Sequence, residues 1–223
     1  MIRLEKGQNH ALGMNLFHTG LGWDVREDNS SGFDFDLDVS AFMLDKNKKI
    51  ISDDYLVFYN SENRLQVDTN GCLIKPIKIT NYTFWSDNAK MRHESRPVDP
   101  ELSVIGSLDD ESGETSEDGD DETMDIDLSK VRPEVEEVII CVSIFENDIR
   151  KQNFGQVERA YIRLYKPGQK EGDGEFIYDL TEDFSECSSI EFCRLYRKDG
   201  GWKIQALGLG HREGLDELVQ KYN

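Results

Sequence analysis

Carboxylates set the chemistry open to this chain. Asp34, Asp36 and Asp38 alternate through GFDFDLDVSAF (32–42), and DDESGETSEDGDDETMDID (109–127) holds eleven carboxylates and no basic residue. On a strand, alternate residues share one face about 6.6–6.8 Å apart. Like charges at that spacing repel by about 2.4 kcal/mol at an effective dielectric of 20, and Asp is disfavoured in strands anyway. A hard divalent cation would relieve the conflict. Calcium takes about 6–8 oxygen ligands, more carboxylates than the water-retaining magnesium needs. The segment Glu117-Asp-Gly-Asp-Asp-Glu122 adds carboxylates and turned backbone carbonyls, with Gly113 and Gly119 allowing tight turns. Neither stretch is an EF-hand. Counting from Asp34, positions six and twelve are Val39 and Asp45; from Asp118 they are Thr123 and Ser129. Each cluster alone also reads as a solvated face or a floppy acidic loop, and that reading stands beside the metal one.

Other chemistries find less. His10, His18, His93 and His211 are isolated, without HxH or HExxH spacing. There is no GxSxG elbow and no P-loop. Gly20-Leu-Gly22 and Gly208-Leu-Gly210 lack the third glycine of a dinucleotide fingerprint. The turn at Gly210–Gly214 precedes a helical stretch, so it could hold an anion or be an ordinary strand-to-helix turn. The rival to the metal reading is an enzyme or a small-molecule or anion sensor using Arg159, Arg163 and His211. Cys72, Cys141, Cys187 and Cys193 show no paired spacing and read as free thiols of a reducing cytoplasm.

The elements that must position these groups are strands. Asp34–Leu44, Tyr55–Tyr59, Val135–Phe145, Val157–Tyr165, Glu175–Leu180, Ile190–Arg197 and Gly201–Leu209 are the expected runs, and Glu117–Ser129 passes into an alternating pattern. Val135–Phe145 (VEEVIICVSIF) reads as a central strand buried on both faces. In Val157–Tyr165, simple alternation puts Val157, Arg159, Tyr161, Arg163 and Tyr165 on one side. Helical signals are confined to a short turn at Leu128–Pro133 and to Leu215–Tyr222. The expected fold is all-β, a two-sheet antiparallel sandwich with a short C-terminal helix, as one domain over 1–223. Residues 61–108 read as an insertion, with a hairpin at Asn70-Gly71 and a basic cluster of Lys90, Arg92, His93 and Arg96. The acidic loop spans 109–127.

With 26 Lys and Arg against 45 Asp and Glu, the net charge is −19. Nucleic acid and anionic membrane surfaces are poor partners for such a chain. No apolar run approaches the roughly 20 residues of a membrane span, and MIRLEKGQNH lacks a signal peptide's apolar stretch. The expectation is a cytoplasmic protein.

The motifs, taken in order, resemble the TerD family of tellurium-resistance and stress proteins. They are Leu4-Glu-Lys-Gly7, Gly20-Leu-Gly-Trp-Asp24, Phe33–Phe42, Phe58-Tyr-Asn60, Gly119-Asp-Asp-Glu122, Gln152–Val157, Leu195-Tyr-Arg197 and Trp202-Lys203. The resemblance implies a β-sandwich that binds Ca²⁺ through acidic loops, without enzymatic activity. Matched onto this sequence, it implies a ligand set of Asp24, Asp34, Asp36, Asp38, Asp109, Asp110, Asp118, Asp120, Asp121 and Glu122. Asp110 stands where the family has Asn, and two extra residues lie within the loop. As partners it implies other proteins of a stress or tellurium-resistance system, docked when calcium is bound, and it leaves a peripheral membrane complex open. The stretch Ser61–Leu108 is longer than the family's usual connection.

Overall fold

Among the described residues, short alternating runs broken by Gly, Asp and Asn turns fold as fourteen strands with three helices. The computed structural model describes residues 1–25, 36–68, 73–80, 87–108, 120–169, 175–179 and 184–223. In chain order the strands are β1 (Ile2–Arg3), β2 (Asn9–Ala11), β3 (Leu16–Val25), β4 (Leu37–Leu44), β5 (Leu56–Val57), β6 (Asn63–Val67) and β7 (Leu73–Lys78). They continue with β8 (Val104–Ile105), β9 (Glu122–Asp127), β10 (Glu137–Ile144), β11 (Val157–Tyr165), β12 (Phe176–Asp179), β13 (Ser189–Lys198) and β14 (Gly201–His211). The helices are α1 (Asp87–His93), α2 (Asn147–Arg150) and α3 (Gly214–Tyr222).

Two six-stranded sheets form the sandwich. The front sheet runs β1-β12-β11-β3-β9-β8 and the back sheet β2-β14-β13-β10-β4-β5. Every pairing within them is antiparallel except β1 with β12. Between the sheets lies the main core, where Phe17, Leu21, Met124, Ile126 and Ile162 of the front meet Leu37, Val39, Ile140, Val142 and Phe192 of the back.

The back sheet is apolar on its outer face as well. Phe42, Leu44, Ile139 and Cys141 form a second cluster with Leu56 of β5 and with Leu218 and Tyr222 of α3. Strand β10 is therefore buried along its whole length, as its continuous apolar run requires. At nine residues, α3 is too short to persist alone. Leu215, Leu218, Val219 and Tyr222 lie on one of its faces and dock it on the sheet. Each fully buried apolar side chain contributes about 1.5–3 kcal/mol.

A buried carboxylate fixes that helix in register. Glu191, 1 % exposed, accepts from Tyr222 Oη at 2.7 Å, from the Lys221 ammonium and from His211 Nε2 at 2.7 Å. His211 Nδ1 faces Glu217 Oε1 at 2.9 Å, and Glu217 Oε2 accepts the backbone N–H groups of Arg212 and Glu213 before the first turn. An imidazole between two carboxylates serves both only when doubly protonated. The Glu191 bond raises the His211 pKa, burial opposes it, and Glu217 raises it further. Burial pushes the Glu191 pKa up, but its His211, Lys221 and Tyr222 partners hold it below the ordinary value.

Several elements differ from the sequence pattern. β4 starts at Leu37, with Asp36 outside the ladder, and Asp34 lies outside the described residues. Tyr55 closes a 3-10 turn (Asp53–Tyr55) and is not in a strand, because its hydroxyl turns to Glu101 and Arg132. Leu128–Pro133 is a turn without helix. In β11 a bulge between Glu158 and Tyr161 shifts the alternation. Val157 joins the core with Ala160, Ile162 and Leu164, and does not share a face with Tyr161 and Arg163. Strand β3, the centre of the front sheet, carries no clear strand signal because LFHTGLGWDV includes two glycines. In 61–108, β6 and β7 form a hairpin whose tip lies outside the described residues, while β8 joins the front sheet.

His211→Asn is expected to lower stability by about 1–3 kcal/mol at pH 5.5, the range for a lost charge-assisted bond. A raised folded pKa gives stability that is complete below the unfolded value of 6.5 and fades as pH rises through the folded value. Urea unfolding of both proteins between pH 5.5 and 8.5 checks this: the gap should narrow with rising pH.

Candidate metal centre

The described part of the acidic loop resumes at Asp120 and runs directly into β9. Three successive carboxylates here take three different directions. Asp121 extends the ladder by side chain: its N–H donates to Leu21 O at 2.7 Å, and its Oδ2 accepts the Trp23 N–H at 2.9 Å. Glu122 points between the sheets, where Oε2 accepts the Val39 N–H of β4 at 2.6 Å. That N–H lies on the edge of β4 that β5, paired at Ala41 and Phe42, does not reach. One carboxylate thus ties the front sheet to the back.

Asp120 folds onto the outer face of the front sheet, with its side chain fully buried. Its Oδ1 accepts from Arg163 Nε at 2.6 Å and from Tyr161 Oη at 3.1 Å. Its Oδ2 is buried and has no hydrogen-bond partner among the described residues. Gly20 and Gly22 of β3 make the room. A Cβ at Gly20 would lie 1.8 Å from Asp120 Oδ2, and one at Gly22 would lie 2.4 Å from the Tyr161 ring. The GxG spacing therefore serves close packing on one strand face, and not a cofactor turn. Burial disfavours the Arg163 cation, but the bond and charge of Asp120 outweigh this and leave its pKa raised. The guanidinium also stacks 4.5 Å from the Tyr165 ring centroid.

Asp125 continues this polar face between His18 and Arg96, which donates to it at 2.7 Å. Burial raises the Asp125 pKa, but those two partners bring it below the ordinary value. Arg96 also holds the carbonyls of Gly106 and Ile105, at 2.6 and 3.1 Å, and so pins residues 96–106 to the front sheet. Arg92 donates to Asn60. Two cations of the basic cluster in 87–96 are thus spent on local structure.

Asp36 and Asp38 occupy the opposite sheet. Asp36 lies immediately before β4, where its carbonyl accepts the Phe145 N–H at 2.9 Å and a carboxylate oxygen lies 3.9 Å from Arg150. Asp38 shares its strand face with Ser40, Phe42 and Leu44, away from the main core. The structure thus groups Asp120, Asp121 and Glu122 against β3, and puts Asp36 and Asp38 across the sandwich at the start of β4. Among the described residues no three His, Cys, Asp or Glu side chains gather into a metal-holding cluster. Asp34, Asp109, Asp110 and Asp118 lie outside the described residues, and only the backbone of Asp24 is described.

The contacts still converge on one end. Trp23, near the end of β3, meets Asp121; Val39, near the start of β4, meets Glu122. The described residues flanking 26–35 and 109–119 therefore leave the sandwich side by side. Arg163 and His211 of the rival reading do not converge. They lie on different sheets, each bound to its own carboxylate. The side chain of Arg159 lies outside the described residues. Cys141 and Cys193 are buried, and burial pushes the Cys193 thiol up to about 12, which removes it as a nucleophile.

The TerD domain model matches residues 1–70 and 88–222. The chain belongs to the TerD family. It is 35 % identical over 226 residues to tellurium resistance protein TerD of Serratia marcescens, covering 99 % of this chain and 96 % of that protein. General stress protein 16U of Bacillus subtilis (strain 168) is 33 % identical over 227 residues, with 99 % and 96 % covered. A solved Streptomyces coelicolor A3(2) homologue of telluride resistance protein (TerD) shares the fold, with TM-score 0.54 and 14 % identity over 93 % of this chain and 96 % of that one. No helix among the described residues of this TerD chain is long and apolar enough to cross a membrane.

Sequence reading did not find the Asp120–Arg163 pair or the Glu191 anchor. Both had a signal. Two glycines two apart share a strand face and leave room for a neighbour's side chain. A lone Glu within the apolar run Ile190-Glu-Phe-Cys193 needs buried partners.

Gly20→Ala should cost about 1–3 kcal/mol by overpacking. A double-mutant cycle with Asp120→Ala, read by urea unfolding, should return a coupling above about 0.5 kcal/mol, because the clash partner is then gone.

Proposed function

We propose that this protein binds calcium at the acidic end of the sandwich. It acts without catalysis in a stress or tellurium-resistance system, docking on other proteins of that system in the cytoplasm. The observation that carries the reading is the convergence there of the residues flanking both acidic segments, together with a buried Asp120 oxygen that has no partner among the described residues. The donor set is all oxygen, which suits a hard cation. Arg163 and Tyr161 occupy Oδ1, so Asp120 would offer Oδ2. Asp121 and Glu122 each already spend an oxygen on a backbone N–H, which holds their side chains in place. Asp24, Asp34, Asp109, Asp110 and Asp118 would complete the set from the flanking segments, and Asp36 and Asp38, at the start of β4 across the sandwich, would hold a linked site at the same end. The names of the relatives, a tellurium resistance protein and a general stress protein, support the system assigned here.

Bound calcium would supply the positive charge that offsets the clustered carboxylates, and would stabilise the ordered state by RT ln(1 + [Ca²⁺]/Kd). Without it, mutual repulsion loosens the same end.

Calorimetric titration of metal-stripped protein should show saturable calcium binding. Thermal unfolding should shift upward, by about 2.7 kcal/mol of stability at a hundredfold excess over Kd. Asp36→Asn/Asp38→Asn and Asp120→Asn/Asp121→Asn should each weaken binding. No heat and no thermal shift at millimolar calcium would overturn the reading.

A further inference from the structure

A second acidic feature lies on the outer face of the back sheet, beside α3. A half-open groove of about 930 Å³ runs between α3, the 53–63 stretch and the turn around α2. This is at the upper end of small-ligand pocket volumes, about 300–1,000 Å³. Its floor is apolar and aromatic. Phe58, Phe145, Leu215 and Val219 line it and are only half-buried. Tyr59 packs edge-on to both Phe58 and Phe145, with ring centroids 5.3 and 5.4 Å apart. The Phe58-Tyr-Asn60 motif, for which the metal reading has no use, thus forms one wall.

Its rim is acidic. Asp53, Asp54 and Glu62 stand on one lip, and Glu146 and Asp148 on another. Among the described residues, eight carboxylate residues, Asp38 of the proposed metal set among them, and one lysine line the groove, against 45 acidic and 26 basic residues for the whole chain. The groove is thus far more one-sided than the sequence. Lys78 is taken by Asp54 at 2.8 Å and Glu62 at 3.6 Å. Arg150, beside the rim, faces Asp36 and Glu146, and Arg92 is bound to Asn60.

A concave acidic rim focuses a negative potential. Exposed aromatic faces attract guanidinium and ammonium groups as well as apolar side chains. We propose that this groove docks a basic peptide segment carrying apolar side chains, its cations on the rim and its anchors on the Phe58–Leu215 floor. A bare metal ion would leave the apolar floor unused, and an acidic peptide or lipid headgroup would be repelled. The proposal deepens the docking half of the function above by naming the partner's chemistry, and it does not need calcium.

The test is fluorescence anisotropy with a fluorescein-labelled peptide alternating arginine and leucine, run in EDTA so that failure of the calcium reading cannot mimic failure here. Asp53→Asn/Glu62→Gln/Asp148→Asn changes three exposed groove acids and should raise Kd at least about tenfold. Leu215→Ser should raise it too, with α3 docking checked by thermal unfolding. The control Glu5→Gln/Glu134→Gln/Asp199→Asn removes as much charge from exposed sites elsewhere and should leave Kd within about twofold. Equal weakening by groove and control variants would mean general charge attraction and would overturn the proposal. So would wild-type affinity in the groove variant, or displacement of the peptide by spermidine at the same Kd, which would mark a small polyamine site.

Discussion

Strands β4 and β10 present apolar side chains to both of their faces, whereas a two-layer sandwich buries one. The second face must be covered, and much of the back of the molecule follows from that need. Helix α3 covers it, and the groove lies where α3 stops and the sheet continues. A short helix held by a few apolar contacts could slide along a flat surface. Glu191 prevents this, because its bonds to His211, Lys221 and Tyr222 form in one register only. Burying that carboxylate is costly unless every partner is in place. Apolar area thus provides most of the attraction, and the charge sets position.

The acidic end obeys a related rule. Its described carboxylates are structural members. Asp121 completes the front ladder, Glu122 joins the sheets, and Asp120 is neutralised by Arg163 in a space that Gly20 leaves open. Removing Arg163 would strand a buried charge, at about 3–5 kcal/mol. A carboxylate held in this way has already lost its side-chain freedom. Charges gathered into so few positions repel less when each has its own donor.

How well the sequence foretold this depends on what each residue contacts. The alternation in β9, β13 and β14 and the apolar run of β10 were readable, because their burial is local to the strand. β3 was not, because its glycines record the bulk of Asp120 and Tyr161, a hundred or more residues away in sequence. The misassigned face of Val157 has a similar cause, since a bulge inverts every side chain before it without altering composition. The polar helix α1 also gave no apolar periodicity to find. At the acidic end, residue type pointed to oxygen ligation. The partners of Asp120, Asp121 and Glu122 became visible only once two sheets brought Arg163, Trp23 and Val39 to them.

Two amides at that end have carboxylates where strand neighbours would normally be: Trp23, held by Asp121, and Val39, held by Glu122. Their exchange with solvent deuterium is therefore governed by two side chains and not by the unfolding of either sheet. The sandwich thus carries a seam at its charged end, where opening is local and shallow. Ile140 and Leu195, deep in the paired rows of β10 and β13, exchange only when the whole domain opens.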